Sequence, residues 1–157
     1  MYFDSHAHYD DERFDDATNE LLASFPDAGI ENVVNSSSDI ASSKASIALT
    51  EKYPFFYASV GVHPHEVEKI TEQDLLELET LSKHEKVVAI GEIGLDFYYD
   101  LSPRDMQRYW FKRQLELAER LDMPIIVHSR DASQECFDII KSSGVRKGVI
   151  HCYSSSA

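Results

Sequence analysis

The chain has 157 residues, of which 43% are hydrophobic and 27% are charged, and its formal net charge is −13. A chain of this length is typical of one domain that buries roughly 70% of its unfolded surface, so we predict a single domain over residues 1–157. The excess of 28 acidic over 15 basic side chains argues against broad adhesion to nucleic acid, which needs a basic surface, but leaves open a nuclease whose metal ions supply local positive charge.

The sequence shows no feature of a membrane or secreted protein. No run of 18 apolar residues occurs, and the first residues lack the basic and apolar regions of a signal peptide. The two cysteines, Cys136 and Cys152, do not make a disulfide framework and are expected to be small hydrophobic residues. We therefore expect a cytoplasmic protein with no membrane partner.

Short apolar runs alternate with amphipathic helical patterns along the chain. We predict strands at 2–6, around 33–34, and at 55–62, 87–90, 124–127 and 148–151. Between them we predict helices at 14–25, from a cap at Asp39 to Pro54, after the capping box at 71–74, from a cap at Ser102 with Pro103 as the first helical residue to about 121, and from a cap at Asp131 to Gly144. Such alternation, with a period of about 30 residues, predicts an α/β fold with a parallel sheet. A complete (β/α)₈ barrel has eight such units, and six are present here.

Polar residues that can bind metals follow five of the six predicted strands. They are His6 and His8, His63 and His65, Glu92, His128 and His151, which include six of the seven histidines. The carboxyl ends of parallel strands meet at one face, where the active sites of barrel enzymes lie. We therefore expect these side chains to converge.

The chemistry of these residues predicts a site for two metal ions. Glu92 follows a buried strand between Gly91 and Gly94, and a buried carboxylate is costly unless a positive group meets it. His6 and His8 lie on the same side of an extended strand and can bind one ion. Glu92 can use both oxygens to bridge to a second ion, which His128 and His151 can bind. Two such ions activate a water and stabilise the charge on a phosphoryl oxygen.

Each residue also has a structural interpretation. A His-x-His pair can be satisfied by the backbone, His63 and His65 can be turn residues, and His151 can be a core residue. Glu92 can form a structural salt bridge with Arg104 or Arg130. The clustering of so many strand-end ligands favours the metal site.

Residues beside the predicted site can contact a substrate. Tyr98 and Tyr99 follow Glu92 and can stack on bases, whereas Trp110 is expected in the core. Arg130 follows His128 and can bind a phosphate with two hydrogen bonds, or pair with Asp131 at a helix start.

Six segments together resemble the TatD-type metal-dependent deoxyribonucleases of the amidohydrolase superfamily: residues 4–8 (DSHAH), 60–65 (VGVHPH), 89–99 (AIGEIGLDFYY), 107–114, 128–132 (HSRDA) and 151–154 (HCYS). The resemblance implies a TIM-type (β/α) barrel and two divalent ions, Mg, Mn or Zn. It implies cleavage of DNA, with RNA possible, from the 3′ end. It assigns His6, His8 and Glu92 to the first ion and Glu92, His128 and His151 to the second. It makes His63 a contact of a substrate phosphate or of the active site. By position, His65, Arg130 and Tyr98 are expected to contact the substrate as well.

The chain departs from the family pattern in two places. Ser155 stands where the family has glycine, and the family's late aspartate would lie beyond Ala157. We therefore expect weak or no turnover, with metal binding partly retained, and the open sheet edges offer a route to self-association. Two alternatives remain: an amidohydrolase-type enzyme acting on a small ester, amide or lactone, and a non-catalytic remnant that binds metal or a partner.

Overall fold

A computed structural model describes residues 1–11, 13–14 and 17–154 of the chain. Ser155 and residues 15 and 16 of the first predicted helix lie outside the described residues. The elements are β1 (Tyr2–Ala7), α1 (Ala17–Ala23), β2 (Ile30–Asn35), α2 (Ile40–Lys52), β3 (Phe56–Val60), α3 (Glu72–Leu81), β4 (Val87–Asp96), α4 (Arg104–Arg120), β5 (Ile125–Arg130), α5 (Ser133–Ser142) and β6 (Gly148–Ile150).

The six strands form one parallel sheet in the order β1-β2-β3-β4-β5-β6, so each strand pairs with its neighbours in sequence. The sheet curls so strongly that its first and last strands approach each other: the ring of His6 in β1 stacks on the ring of His151 after β6, with 3.8 Å between the centroids. The described strands and helices therefore form a half-barrel, which confirms the predicted fold class of parallel βα units.

The main core lies between β3–β5 and α3–α5. It includes the fully buried side chains of Leu78, Ile90, Ile93, Phe111 and Leu115. A second cluster joins α1 to β2 and β3 through Leu22, Phe25, Val33 and Phe56. In the described ranges, none of the helices has the length and apolar character needed to cross a bilayer.

Strand β4 is longer than predicted, because it continues through Glu92 to Asp96. Beyond an irregularity between Ile90 and Ile93, it pairs with β5 as far as the pair of Asp96 and Arg130. Gly94 makes this possible, since its φ is +144° and an added Cβ would lie 2.0 Å from the carbonyl oxygen of His128. Two acidic side chains of β4 thus reach the carboxyl end of the sheet.

Two predicted helix caps are wrong, while the cap at Asp39 is confirmed by its hydrogen bond from the backbone N–H of Ser42. The backbone of Asp131 has φ +53°, and Ala132 takes the cap position of α5. Helix α4 is capped by Pro103. The Ser102 hydroxyl instead donates to the carbonyl of His65 at 2.8 Å. This hydrogen bond holds the loop after β3 against the start of α4.

Candidate active site

The strand-end residues surround one open cavity at the carboxyl edge of the sheet. The cavity has a volume of about 1110 Å³, and its lining includes His8, His63, His65, Glu92, Asp96, His128, Arg130 and His151. His6 lies behind His8, with 3.0 Å between their Nε2 atoms. The structure therefore brings the seven predicted strand-end residues together.

Glu92 lies at the centre of this group with both carboxylate oxygens engaged. Its Oε2 lies 3.3 Å from His6 Nε2 and 3.7 Å from His8 Nε2. Its Oε1 lies 2.6 Å from His151 Nε2 and 3.1 Å from His128 Nδ1. The two oxygens thus face separate sets of imidazoles.

The alternative in which Glu92 pairs with an arginine does not occur. Within the described residues, the ion pairs of Glu92 are all with histidines. Arg104 instead pairs with Asp100 at 2.9 Å, and the guanidinium of Arg130 lies over the rings of Tyr98 and Tyr99. A buried carboxylate ringed by imidazoles, without a lysine or arginine in these pairs, suits a cation better than a structural salt bridge.

Hydrogen bonds keep Glu92 ionised. Burial by itself would raise the pKa of Glu92, but the hydrogen bonds with His128, His151 and His6 together outweigh it and hold the pKa below its ordinary value. Burial opposes the charge of His128 as well, but the neighbouring carboxylates of Glu92 and Asp96 raise the pKa of His128 above its ordinary value. The site therefore concentrates negative charge that attracts protons or metal ions.

His63 behaves differently from the other histidines. Its Nδ1 accepts a hydrogen bond from the backbone N–H of His65 at 3.2 Å, and its Nε2 lies 3.9 Å from Glu92 Oε1. Burial lowers the pKa of His63 to about 3 despite the nearby charge of Glu92. His63 is therefore a neutral side chain whose Nε2–H faces the cavity.

The ligand atoms form two compact groups. One consists of His6, Glu92 and His151, and the other of His63, His65 and His128; within each group the ligand atoms lie within 4.8 Å of one another. The donor set, imidazole nitrogens with carboxylate oxygens, is one that divalent transition metals accept. The residues fit a metal centre, and the division of ligands between two ions remains a prediction.

Arg130 and Tyr99 line the cavity, and Tyr98 lines a neighbouring cavity that shares Arg130, His128 and His151 with it. The Arg130 guanidinium is 4.5 Å from the ring centroid of Tyr98 and 4.6 Å from that of Tyr99. Both tyrosines are more than half exposed, whereas Trp110 is 6% exposed and packs in the core as expected. The structure thus places a cation and two aromatic rings beside the candidate metal ligands.

Sequence reasoning missed three buried polar residues that organise the site. Asp96 accepts from both His65 and His128. Gln114 binds the backbone N–H and carbonyl of Val62, next to His63, and Gln107 does the same for Asp96. The signal was available in the sequence: the two glutamines are seven residues apart, which places them on one face of a helix.

A family model described as TatD related DNase matches residues 3–157. The chain belongs to this family. This membership confirms the resemblance to the TatD-type enzymes. The half-barrel fits the TIM-type (β/α) barrel of TatD-family structures.

Curated relatives and solved structures agree with the family assignment. The chain is 39% identical over 159 residues to "Uncharacterized metal-dependent hydrolase YabD" of Bacillus subtilis, covering 100% of this chain and 62% of that protein. It is 30% identical over 146 residues to "3'-5' ssDNA/RNA exonuclease TatD" of Cronobacter sakazakii, covering 92% of this chain and 56% of the relative. The crystal structure of YJJV, a TatD homologue from Escherichia coli, superposes with a TM-score of 0.91 at 32% identity, covering 99% of this chain and 61% of that one. The chain thus spans about three-fifths of the length of these relatives.

Proposed function

We propose that this TatD-family chain carries the metal-binding half of a phosphodiesterase that removes nucleotides from the 3′ end of single-stranded DNA or RNA. The observation that supports the proposal is the position of Glu92, whose Oε2 faces His6 and His8 while its Oε1 faces His128 and His151. A carboxylate in that position can bridge two divalent ions, and Mg, Mn and Zn are the candidates.

Divalent ions at this site would activate a water and offset the charge on the phosphoryl oxygens. The protein residues hold the ions and orient the substrate. His6, His8, Glu92, His128 and His151 are the proposed ligands, and Glu92 is the proposed catalytic residue because it would contact both ions. The neutral His63 would donate its Nε2–H to a non-bridging phosphate oxygen.

The rim of the cavity suits the end of a flexible strand. Arg130 would bind a phosphate, and Tyr98, which is 59% exposed, would stack on a base, since every base offers an aromatic face. His65 lies between the metal-binding residues and Tyr99, with 5.7 Å between the two ring centroids, and is proposed to contact the substrate at that point. The names of the exonuclease relatives support a nucleic acid substrate.

The decisive assay uses single-stranded DNA and RNA labelled at the 5′ end. Mg²⁺, Mn²⁺ or Zn²⁺ is added, products are resolved by length, and EDTA is added in a parallel reaction. We expect shortened products that retain the label and that disappear with EDTA. Glu92→Gln should lose at least about 100-fold of the activity, since ligand loss exceeds the 10–100-fold cost of disturbing residues behind the ligands.

Glu31→Gln is the matched control, because Glu31 is an exposed residue of β2 and should retain full activity. Cleavage that persists in EDTA would contradict the metal mechanism.

One observation favours a second candidate. Asp10, Asp11 and Asp39 also line the cavity, and their charge opposes a polyanion but not a small neutral ester, amide or lactone. A panel of such substrates, assayed with the same ions, distinguishes the two enzymes. A non-catalytic remnant is the remaining possibility, and it predicts no metal in elemental analysis together with a stable oligomer in light scattering.

A further inference from the structure

Asp96 is a second buried carboxylate at the site, four residues after Glu92 on β4. Its Oδ2 lies 2.8 Å from His65 Nε2 and 2.9 Å from His128 Nε2. Its Oδ1 accepts the backbone N–H groups of Tyr98 and Tyr99 at 3.0 and 2.8 Å. The side chain is fully buried, so these four donors define its surroundings.

These contacts determine which nitrogen of His128 carries a proton. A carboxylate oxygen accepts hydrogen bonds, so His128 must present Nε2–H to Asp96. The other nitrogen, Nδ1, then lies 3.1 Å from Glu92 Oε1. Unprotonated Nδ1 and the carboxylate oxygen of Glu92 are both hydrogen-bond acceptors. At this separation, a proton or a metal ion must lie between them.

We propose that Asp96 is a positioning residue, which holds His128 with Nε2 protonated so that Nδ1 binds the cation beside Glu92. The inference rests on the proposed metal-dependent function and extends it to a residue outside the predicted ligands. Metal-binding histidines commonly donate their second nitrogen to a carboxylate, which fixes the ring and its tautomer.

Asp96→Asn tests the proposal because the backbone dictates how the amide is oriented. The N–H groups of Tyr98 and Tyr99 need an acceptor, so the amide oxygen must take the position of Oδ1. The amide NH₂ then faces His65 and His128 and donates to Nε2, which forces the proton of neutral His128 onto Nδ1. The shape of the side chain is kept, but Nδ1 is no longer available as a ligand.

The first measurement is Zn²⁺ binding by isothermal titration calorimetry. We expect the dissociation constant of at least one ion to rise 10–100-fold in Asp96→Asn, the range observed for carboxylates behind metal ligands. Asp100→Asn is the matched control: Asp100 lies in the loop that follows Asp96 and pairs with the exposed Arg104, and its φ of +54° suits asparagine. The Asp100→Asn protein should bind Zn²⁺ with the same dissociation constant as the wild type.

The second measurement needs no variant. Long-range ¹H–¹⁵N correlation spectra of the zinc-loaded wild-type protein, with ¹⁵N-labelled histidine, show which nitrogen of His128 binds zinc. Binding through Nδ1 with Nε2 protonated is expected, and binding through Nε2 would overturn the inference even if Asp96→Asn fails to fold. Unchanged zinc affinity in a folded Asp96→Asn protein would overturn this inference alone. Absence of zinc binding by the wild type would overturn both this inference and the proposed function.

Discussion

Replacement of Gln107 by methionine tests whether helix α4 secures the functional end of β4. Gln107 is fully buried, and its Oε1 accepts the backbone N–H of Asp96 at 2.9 Å. Its Nε2 donates to the carbonyls of Asp96 at 3.2 Å and Ser102 at 2.8 Å. Methionine has nearly the same length and volume but makes none of these hydrogen bonds.

The expected loss of stability follows from those three bonds. Each contributes about 1 kcal/mol net, and a buried group that loses its partner costs about 1–3 kcal/mol. The thioether of methionine recovers part of this by apolar burial, so we expect Gln107→Met to lower the free energy of unfolding by about 3 kcal/mol. For a chain of this size, the melting temperature would fall by roughly 6–12 °C.

Urea denaturation followed by far-UV circular dichroism measures this loss as a lower midpoint with an unchanged m-value. Gln134→Met is the control, because Gln134 is exposed on α5 and its side chain contacts Asp138. That change should stay within about 0.5 kcal/mol. A loss below about 1 kcal/mol for Gln107→Met would show that water or a backbone shift replaces the glutamine, and the reasoning would be refuted.

Three further predictions concern the site. Gly94→Ala should destabilise the protein by about 3 kcal/mol or more in chemical denaturation, because it combines a positive φ with a Cβ 2.0 Å from the His128 carbonyl oxygen; a near-neutral effect would contradict this. Burial lowers the pKa of His63 in the folded protein to about 3, whereas the ordinary value in an unfolded chain is about 6.5. As the pH falls, His63 is therefore protonated in the unfolded chain before it is protonated in the folded protein. Stability should therefore decrease from about pH 6.5 downwards, and between pH 7 and 4 the metal-free wild type should lose about 3 kcal/mol more than His63→Gln; parallel pH curves would refute it. Zn²⁺ at 100 times its dissociation constant should raise stability by about 2.7 kcal/mol in thermal melts, and Glu92→Gln should abolish the increase; an equal shift in that variant would place the ion elsewhere.

The sequence was sufficient to predict the order of strands and helices and the convergence of the histidines. Each strand end coincided with a change from apolar to polar residues, and the geometry of a parallel sheet brings such ends to one edge. The central place of Glu92 could be predicted because a carboxylate between glycines after an apolar run has few structural explanations. The family assignment was carried by the same residues.

Asp96 escaped prediction for a physical reason. Both faces of β4 are buried, so polar and apolar residues do not alternate along it. The sequence therefore does not show which of its side chains point towards the cavity. The irregularity after Ile90 and the unusual backbone of Gly94 then change which way the following side chains point. The spacing of Gln107 and Gln114 places them on one face of α4, but it does not show that their partners are the backbone groups of Asp96 and Val62.

The stacked rings of His6 and His151 couple the site to the completion of folding. These residues are separated by nearly the whole chain and belong to opposite margins of the sheet, yet their ring planes differ by only 4°. Neighbouring strands can associate through nearby contacts, but this long-range contact requires every intervening strand to be in place. We therefore expect the ability to bind an ion through both rings to appear late during refolding. The rate at which zinc affinity develops would then measure how fast β6 pairs with β5.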